Sequence, residues 1–92
     1  MPWRVIKSDQ FMQDVDDVVL VIAADNISAA DALAQQIHQQ VDSLADPHFP
    51  RRMGRKPGTL ELVVQPDHVA VLQQIDTTVT VFNLMHVARQ NP

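Results

Sequence analysis

Cleavage of a phosphodiester by 2′-hydroxyl attack needs a group to take the proton, a group to protonate the leaving oxygen, and positive charge on the pentacoordinate phosphate. His86, His68, Asp67, Glu61, Arg55 and Arg89 are the side chains of this 92-residue chain whose types could supply those parts. An isolated histidine serves equally well as a hydrogen-bonding residue that fixes a strand in its sheet, and that is the simpler reading of His86. His38 and His48 read as a helix-surface residue and a loop residue. No spacing among the four histidines matches a metal site, and the absence of cysteine removes thiolate ligands and disulfides. No metal and no cofactor are therefore expected.

A second group of residues is suited to recognition rather than to proton transfer. Arg51, Arg52, Arg55 and Lys56 hold four of the seven basic residues within six positions, and guanidinium forks match carboxylates. They lie in a segment, residues 46–58, that contains three prolines and both glycines, so it can be neither a continuous helix nor a central strand. It reads as a long connecting loop, a solvated linker or a binding element. Residues 1–46 carry eight aspartates against Arg4 and Lys7, whereas residues 47–92 are net positive. The formal charge of -4 thus hides an acidic half and a basic half. Net acidity argues against general nucleic-acid binding, since phosphate contacts are made by lysine and arginine.

The elements that must position these residues follow from hydrophobic periodicity. Trp3 and Val5 alternate with Arg4 and Ile6 in a short first strand. Ser8-Asp9 starts a helix whose stripe is Phe11, Val15, Val18, Val19 and Ile22. The β-branched run Val18–Ile22 has strand propensity, yet the unbroken stripe favours helix, with Leu20 and Val21 widening its apolar face. Asp25-Asn26 ends that helix, and Ser28 with Asp31 predicts the capping box of a second. Ala30, Leu33, Ala34, Ile37, Val41 and Leu44 form its stripe, and the short turn predicts an antiparallel helical hairpin. Beyond Gly58 the period changes to two, giving strands 59–65, 69–75 and 78–88 joined by turns at Pro66-Asp67 and Asp76-Thr77. The expected fold is α+β: an N-terminal strand, then an antiparallel helical hairpin packed on an antiparallel β-sheet, in the order β-α-α-β-β-β.

Residues 1–92 are expected to form one domain. With 46% apolar residues the chain is no disordered segment. Its longest apolar run, Val18–Ala24, is far below the ~18 residues of a spanning helix, and Met1-Pro2-Trp3-Arg4 opens no export signal. A cytoplasmic protein with no membrane contact is expected.

The chain resembles toxins of the RelE/ParE superfamily of bacterial type II toxin–antitoxin systems. The resemblance covers nearly the whole chain, and its specific parts are Gly54-Arg-Lys-Pro-Gly-Thr-Leu-Glu-Leu62 and the ending His86-Val-Ala-Arg-Gln-Asn-Pro92, both of which favour the ParE-like branch. It also supports helix for Val18–Ile22. The resemblance implies a small toxin neutralised by a cognate antitoxin whose C-terminal segment folds along it, in a toxin–antitoxin hetero-oligomer. ParE-like members poison DNA gyrase without catalysis of their own. RelE-like members cut mRNA on the ribosome, and there Asp67, His86 and Arg89 would form the catalytic site.

Three departures bear on that choice. Leu60 stands where relatives commonly carry arginine, residues 69–75 lack the usual tyrosines, and Asn91 replaces an aromatic residue before the last proline. With a net charge of -4 the chain is also ill suited to docking on the anionic ribosome. Gyrase is therefore the expected target, with the ribosome and its mRNA as the alternative and a degenerate, non-toxic antitoxin binder as a third reading. The expected contacts with target or antitoxin are Arg51, Arg52, Arg55 and Lys56, together with the apolar Leu20, Val21, Phe49, Met53 and Met85. An antitoxin helix would seat its apolar face on the latter group.

Overall fold

A computed structural model describes residues 2–87. The chain forms β1 (Arg4–Lys7), α1 (Asp9–Ala23), α2 (Ile27–Asp42), a 3-10 turn (Ser43–Ala45), β2 (Arg52–Met53), β3 (Leu60–Gln65), β4 (His68–Ile75) and β5 (Thr78–His86). All five strands share one sheet in the order β1-β5-β4-β3-β2. As the short turns require, β3, β4 and β5 are antiparallel neighbours. Asp76, at φ 54, supplies the left-handed residue of the tight β4–β5 turn.

The sheet is nevertheless mixed, because β1 lies at its edge parallel to β5, Arg4 beside Thr78 and Lys7 beside Val81. The strand-to-helix junction enforces this direction. The Ser8 backbone N–H donates to Val81 O at 3.0 Å, and its hydroxyl donates to Phe82 O while accepting from the Phe11 N–H. α1 therefore starts halfway along β5 and packs over it, with Asp14 reaching the Leu84 N–H. Pairing between the two ends of a chain leaves no local sequence signal.

Val18–Ile22 is helical. Phe11 and Val15 are fully buried, and Val18, Val19 and Ile22 pack against the core. Leu20 and Val21 do not extend that face: they are 67% and 74% exposed. In α2, Ala30, Leu33, Ile37 and Val41 are buried at helical spacing, and Leu44 continues the stripe into the 3-10 turn. Leu33, Ile37, Val41 and Leu44, with Phe11 and Val15 of α1, meet Leu62, Val64, Ala70, Leu72, Val79, Val81 and Leu84 from one face of the sheet. The start of α2 differs from the expected Ser28 cap. Asn26 is the N-cap, its side chain accepting from the Ala29 N–H at 3.0 Å, because its extended backbone (φ -154) aims the amide oxygen at the free donors of the first turn.

The expected linker, residues 46–58, is partly a strand. Arg52 and Met53 pair with Glu61 and Leu60 at the sheet's other edge. Gly54 allows this: its N–H donates to Thr59 O at 2.8 Å, and any Cβ there would collide with the Thr59 side chain and carbonyl.

The corrected cap gives a direct test. Asn26→Ala is expected to cost about 1 kcal/mol of stability, whereas Ser28→Ala changes it by a few tenths at most. Denaturant melts followed by circular dichroism measure both, and a larger loss from Ser28→Ala would contradict the assignment.

Candidate functional site

The four clustered cations have different fates once the chain is folded. Arg51 is an internal anchor: its guanidinium donates to the carbonyls of Phe49 (3.0 Å) and Asp46 (2.7 Å) and to Gln74 Oε1 (2.9 Å), and it lies 5.9 Å from the Trp3 ring centroid. Burial lowers its pKa, opposed by Asp46, though a guanidinium stays charged at neutral pH. Phe49 is half-buried against the core, so it too is committed to the fold. Arg52 and Arg55 both turn to Glu61. Arg52 reaches Oε1 through Nε and Nη2 at 3.2 and 3.1 Å, while the Arg55 backbone N–H donates to Oε2 at 3.2 Å. Lys56 and Met53 are exposed, Met53 at 82%.

Glu61 is the buried charged residue of the described chain, 3% exposed, and sequence reasoning had given it no such role. It sits on the sheet face away from the helices, since Leu60, Leu62 and Val64 take the helix side. Strand register lines it up with Val71 and Asn83. Together with Arg55, Lys56, Thr59 and Met85 these residues line a cleft of about 160 Å³. The signal that would have found it is the register Arg52–Glu61, which the sequence hides because a two-residue strand has no period.

Register also assembles part of the acid–base group. His68 and His86 are direct cross-strand partners, their rings edge-to-face with centroids 5.1 Å apart. Asp67 precedes His68, and its carbonyl accepts from the Val87 N–H at 2.7 Å. His68 Nδ1 is buried without a hydrogen-bond partner. Burial, and then the charge of His86, lower the His68 pKa, with Asp67 opposing them. Arg89 lies outside the described residues. The charges that act on His68 are those of His86 and Asp67, with no lysine or arginine of the described residues among them.

His38 is more than the surface residue expected of it. It accepts from Lys7 Nζ at 3.0 Å on Nδ1 and meets the Phe11 ring edge-on at 6.0 Å. Burial and Lys7 lower its pKa against Asp42 and Asp16. His48 is exposed in its loop, as expected. Leu20 and Val21 lie at the end of the hairpin with Ile27, 71% exposed, which sequence reasoning missed. Met85 lies with the Glu61 cleft instead, so the apolar candidates form no single patch.

The profile of the family described as "ParE toxin of type II toxin-antitoxin system, parDE" matches residues 5–91. The chain belongs to the ParE toxin family. Its fold is similar to that in the chromosomal ParDE system of P. aeruginosa, with TM-score 0.83 and 16% identity over 94% of this chain and 97% of that one. The E. coli DinJ-YafQ complex matches with TM-score 0.62, 14% identity and coverage of 94% and 93%. The RelBE2 complex of Mycobacterium tuberculosis gives 0.57, 18%, and 94% and 99%. No curated protein sequence matches the chain significantly. No helix among the described residues is long and apolar enough to cross a membrane.

Leu60 finds its reason in this ParE-family chain: it is packed partly buried against the core, opposite Leu72, on the side of β3 that the helices cover.

Two depressed histidines give the toxin a pH signature. His38 and His68 favour the neutral form when folded, so the unfolded chain binds more protons as pH falls. The stability they contribute is complete above about 6.5, the unfolded value, and is lost on acidification below it. Melting temperatures from pH 7.5 to 5 are expected to fall, with a shallower slope in His38→Gln; an unchanged slope would reject the assignment.

Proposed function

We propose that this ParE-family toxin inhibits DNA gyrase by binding rather than by catalysis, and that a cognate antitoxin neutralises it in the cytoplasm. The family match over residues 5–91 carries the reading. The charge layout supports it. Cleavage of RNA needs a cation on the phosphate, whereas Lys7, Arg51 and Arg52 are tied to Asp42, the loop carbonyls and Glu61, and Lys56 and Arg55 line the Glu61 cleft. The surface offered for contact is the outer side of the basic loop, Arg52, Met53, Arg55 and Lys56, with Met85 on the last strand. Leu20 and Val21 offer a separate apolar seat for an antitoxin helix. Arg51 and Phe49 support the loop from within.

The second reading, a RelE-like endoribonuclease, draws on the juxtaposition of Asp67, His68 and His86, with Arg89 as the further candidate. The two readings separate cleanly. Purified protein is expected to inhibit gyrase supercoiling and to leave ribosome-bound mRNA intact. His86→Ala is expected to arrest growth as fully as the parent chain when induced without antitoxin. Loss of arrest in His86→Ala together with mRNA cleavage by the parent would establish the nuclease. Unimpaired growth with the parent chain would identify a degenerate antitoxin binder.

A further inference from the structure

The cleft beside Glu61 contains one carboxylate and more cationic character than that carboxylate neutralises. Glu61 Oε1 takes the Arg52 guanidinium and Oε2 takes the Arg55 backbone N–H. The Arg55 guanidinium touches Oε2 only at 3.9 Å. Lys56 and the Asn83 amide make no side-chain hydrogen bond or ion pair among the described residues. Three donor groups therefore stand around the opening, while Val71 and Met85 supply an apolar floor.

We propose that this cleft receives a glutamate side chain from a protein partner, its carboxylate taken by Arg55, Lys56 and Asn83 and its methylenes lying on Val71 and Met85. The size is right for one such side chain: the cavity measures about 160 Å³. Two features favour a carboxylate over a nucleic-acid phosphate. The floor is apolar, which suits methylenes rather than a ribose, and among the described residues no aromatic ring lines the cleft for a base to stack on. Glu61 is a positioning residue here. It fixes the Arg55 backbone through a hydrogen bond and partly offsets the local positive charge, so that the site holds an acid reversibly. The identity of the partner rests on the toxin reading above, but the site is defined without reference to gyrase.

The full chain, ¹⁵N-labelled, is titrated with the peptide Ac-Leu-Glu-Glu-Leu-NH2, with its glutamine counterpart, with inorganic phosphate and with a short single-stranded RNA. The glutamate peptide is expected to shift the Arg55 Nε–H and Asn83 side-chain signals, and the glutamine peptide to shift them far less. Arg55→Ala with Lys56→Ala should weaken binding about fivefold or more, as loss of two charge contacts implies. Glu61→Gln keeps one oxygen to accept the Arg55 N–H, so the loop stays positioned while the Arg52 guanidinium is released, and it should tighten binding about fivefold by removing the resident negative charge, an effect opposite to that of structural damage. Equal shifts from the two peptides, shifts only from phosphate or RNA, or weaker binding by folded Glu61→Gln would each overturn the proposal. None of these outcomes depends on gyrase inhibition, which is scored separately.

Discussion

The rest of the fold depends on how one irregularity in β5 is satisfied. The β4–β5 ladder passes from Val71–Asn83 to Leu72–Val81, so Phe82 stands outside the pairing as an extra residue. The first two turns of α1 meet the backbone groups around it: Ser8 donates its hydroxyl to Phe82 O, and Asp14 Oδ2 accepts the Leu84 N–H at 3.0 Å. The Leu84 N–H is partly buried, and a buried backbone group without a partner costs free energy comparable to a lost hydrogen bond. The bulge therefore specifies where the helix must lie. Once α1 is placed there, β1 is committed to the parallel edge of β5 and the hairpin covers one face of the sheet. Because the extra residue inverts the side-chain alternation, both Val81 and Leu84 reach the helix side and close the core.

Seating the hairpin on one face leaves the other face to the charges. The eight aspartates of residues 1–46 divide into two kinds. Asp14, Asp42 and Asp46 are structural, capturing Leu84, Lys7 and the His48 N–H respectively. The others mostly line the solvent side of the helices. On the opposite face Glu61 reverses the pattern, as a single buried carboxylate among cations. A buried charge is retained only when paired and hydrogen-bonded, and Arg52 with the Arg55 backbone meets that condition. The basic loop is thereby folded against the sheet through its arginines, and Lys56 is left facing solvent.

Much of this was legible in the chain. The stripes Phe11–Val15–Ile22 and Leu33–Ile37–Val41 placed both helices, and period-two alternation with two tight turns placed β3 to β5. These signals are local, arising within one turn of helix or one strand. What escaped was set by pairing between distant segments: the parallel β1, the two-residue β2, the buried state of Glu61 and the His68–His86 contact. The Asn26 cap escaped for a different reason. Ser28 and Asp31 have the right types and spacing for a capping box, and only the extended backbone at Asn26 decides which of two suitable residues does the capping. At the candidate site, the residue types were legible as a group, but their division into anchors and free cations was not. Arg51 and Lys56 are both basic residues of one loop, distinguished by the carbonyls, the Gln74 amide and the Trp3 ring that surround the first.

That division changes what net charge means for recognition. A value of -4 describes the field far from the molecule, where the separate charges merge. Within about a Debye length, roughly 8 Å at physiological ionic strength, a partner responds to local groups instead. A partner approaching the open sheet face meets Lys56 and the outer edges of Arg52 and Arg55 before it meets any aspartate of the hairpin, because the hairpin lies across the opposite face. Long-range repulsion from a polyanion and short-range attraction for a single acidic side chain can therefore coexist in one small domain. The fold achieves this by using the sheet as a partition, with a buried glutamate holding the cations on the face that the helices leave open.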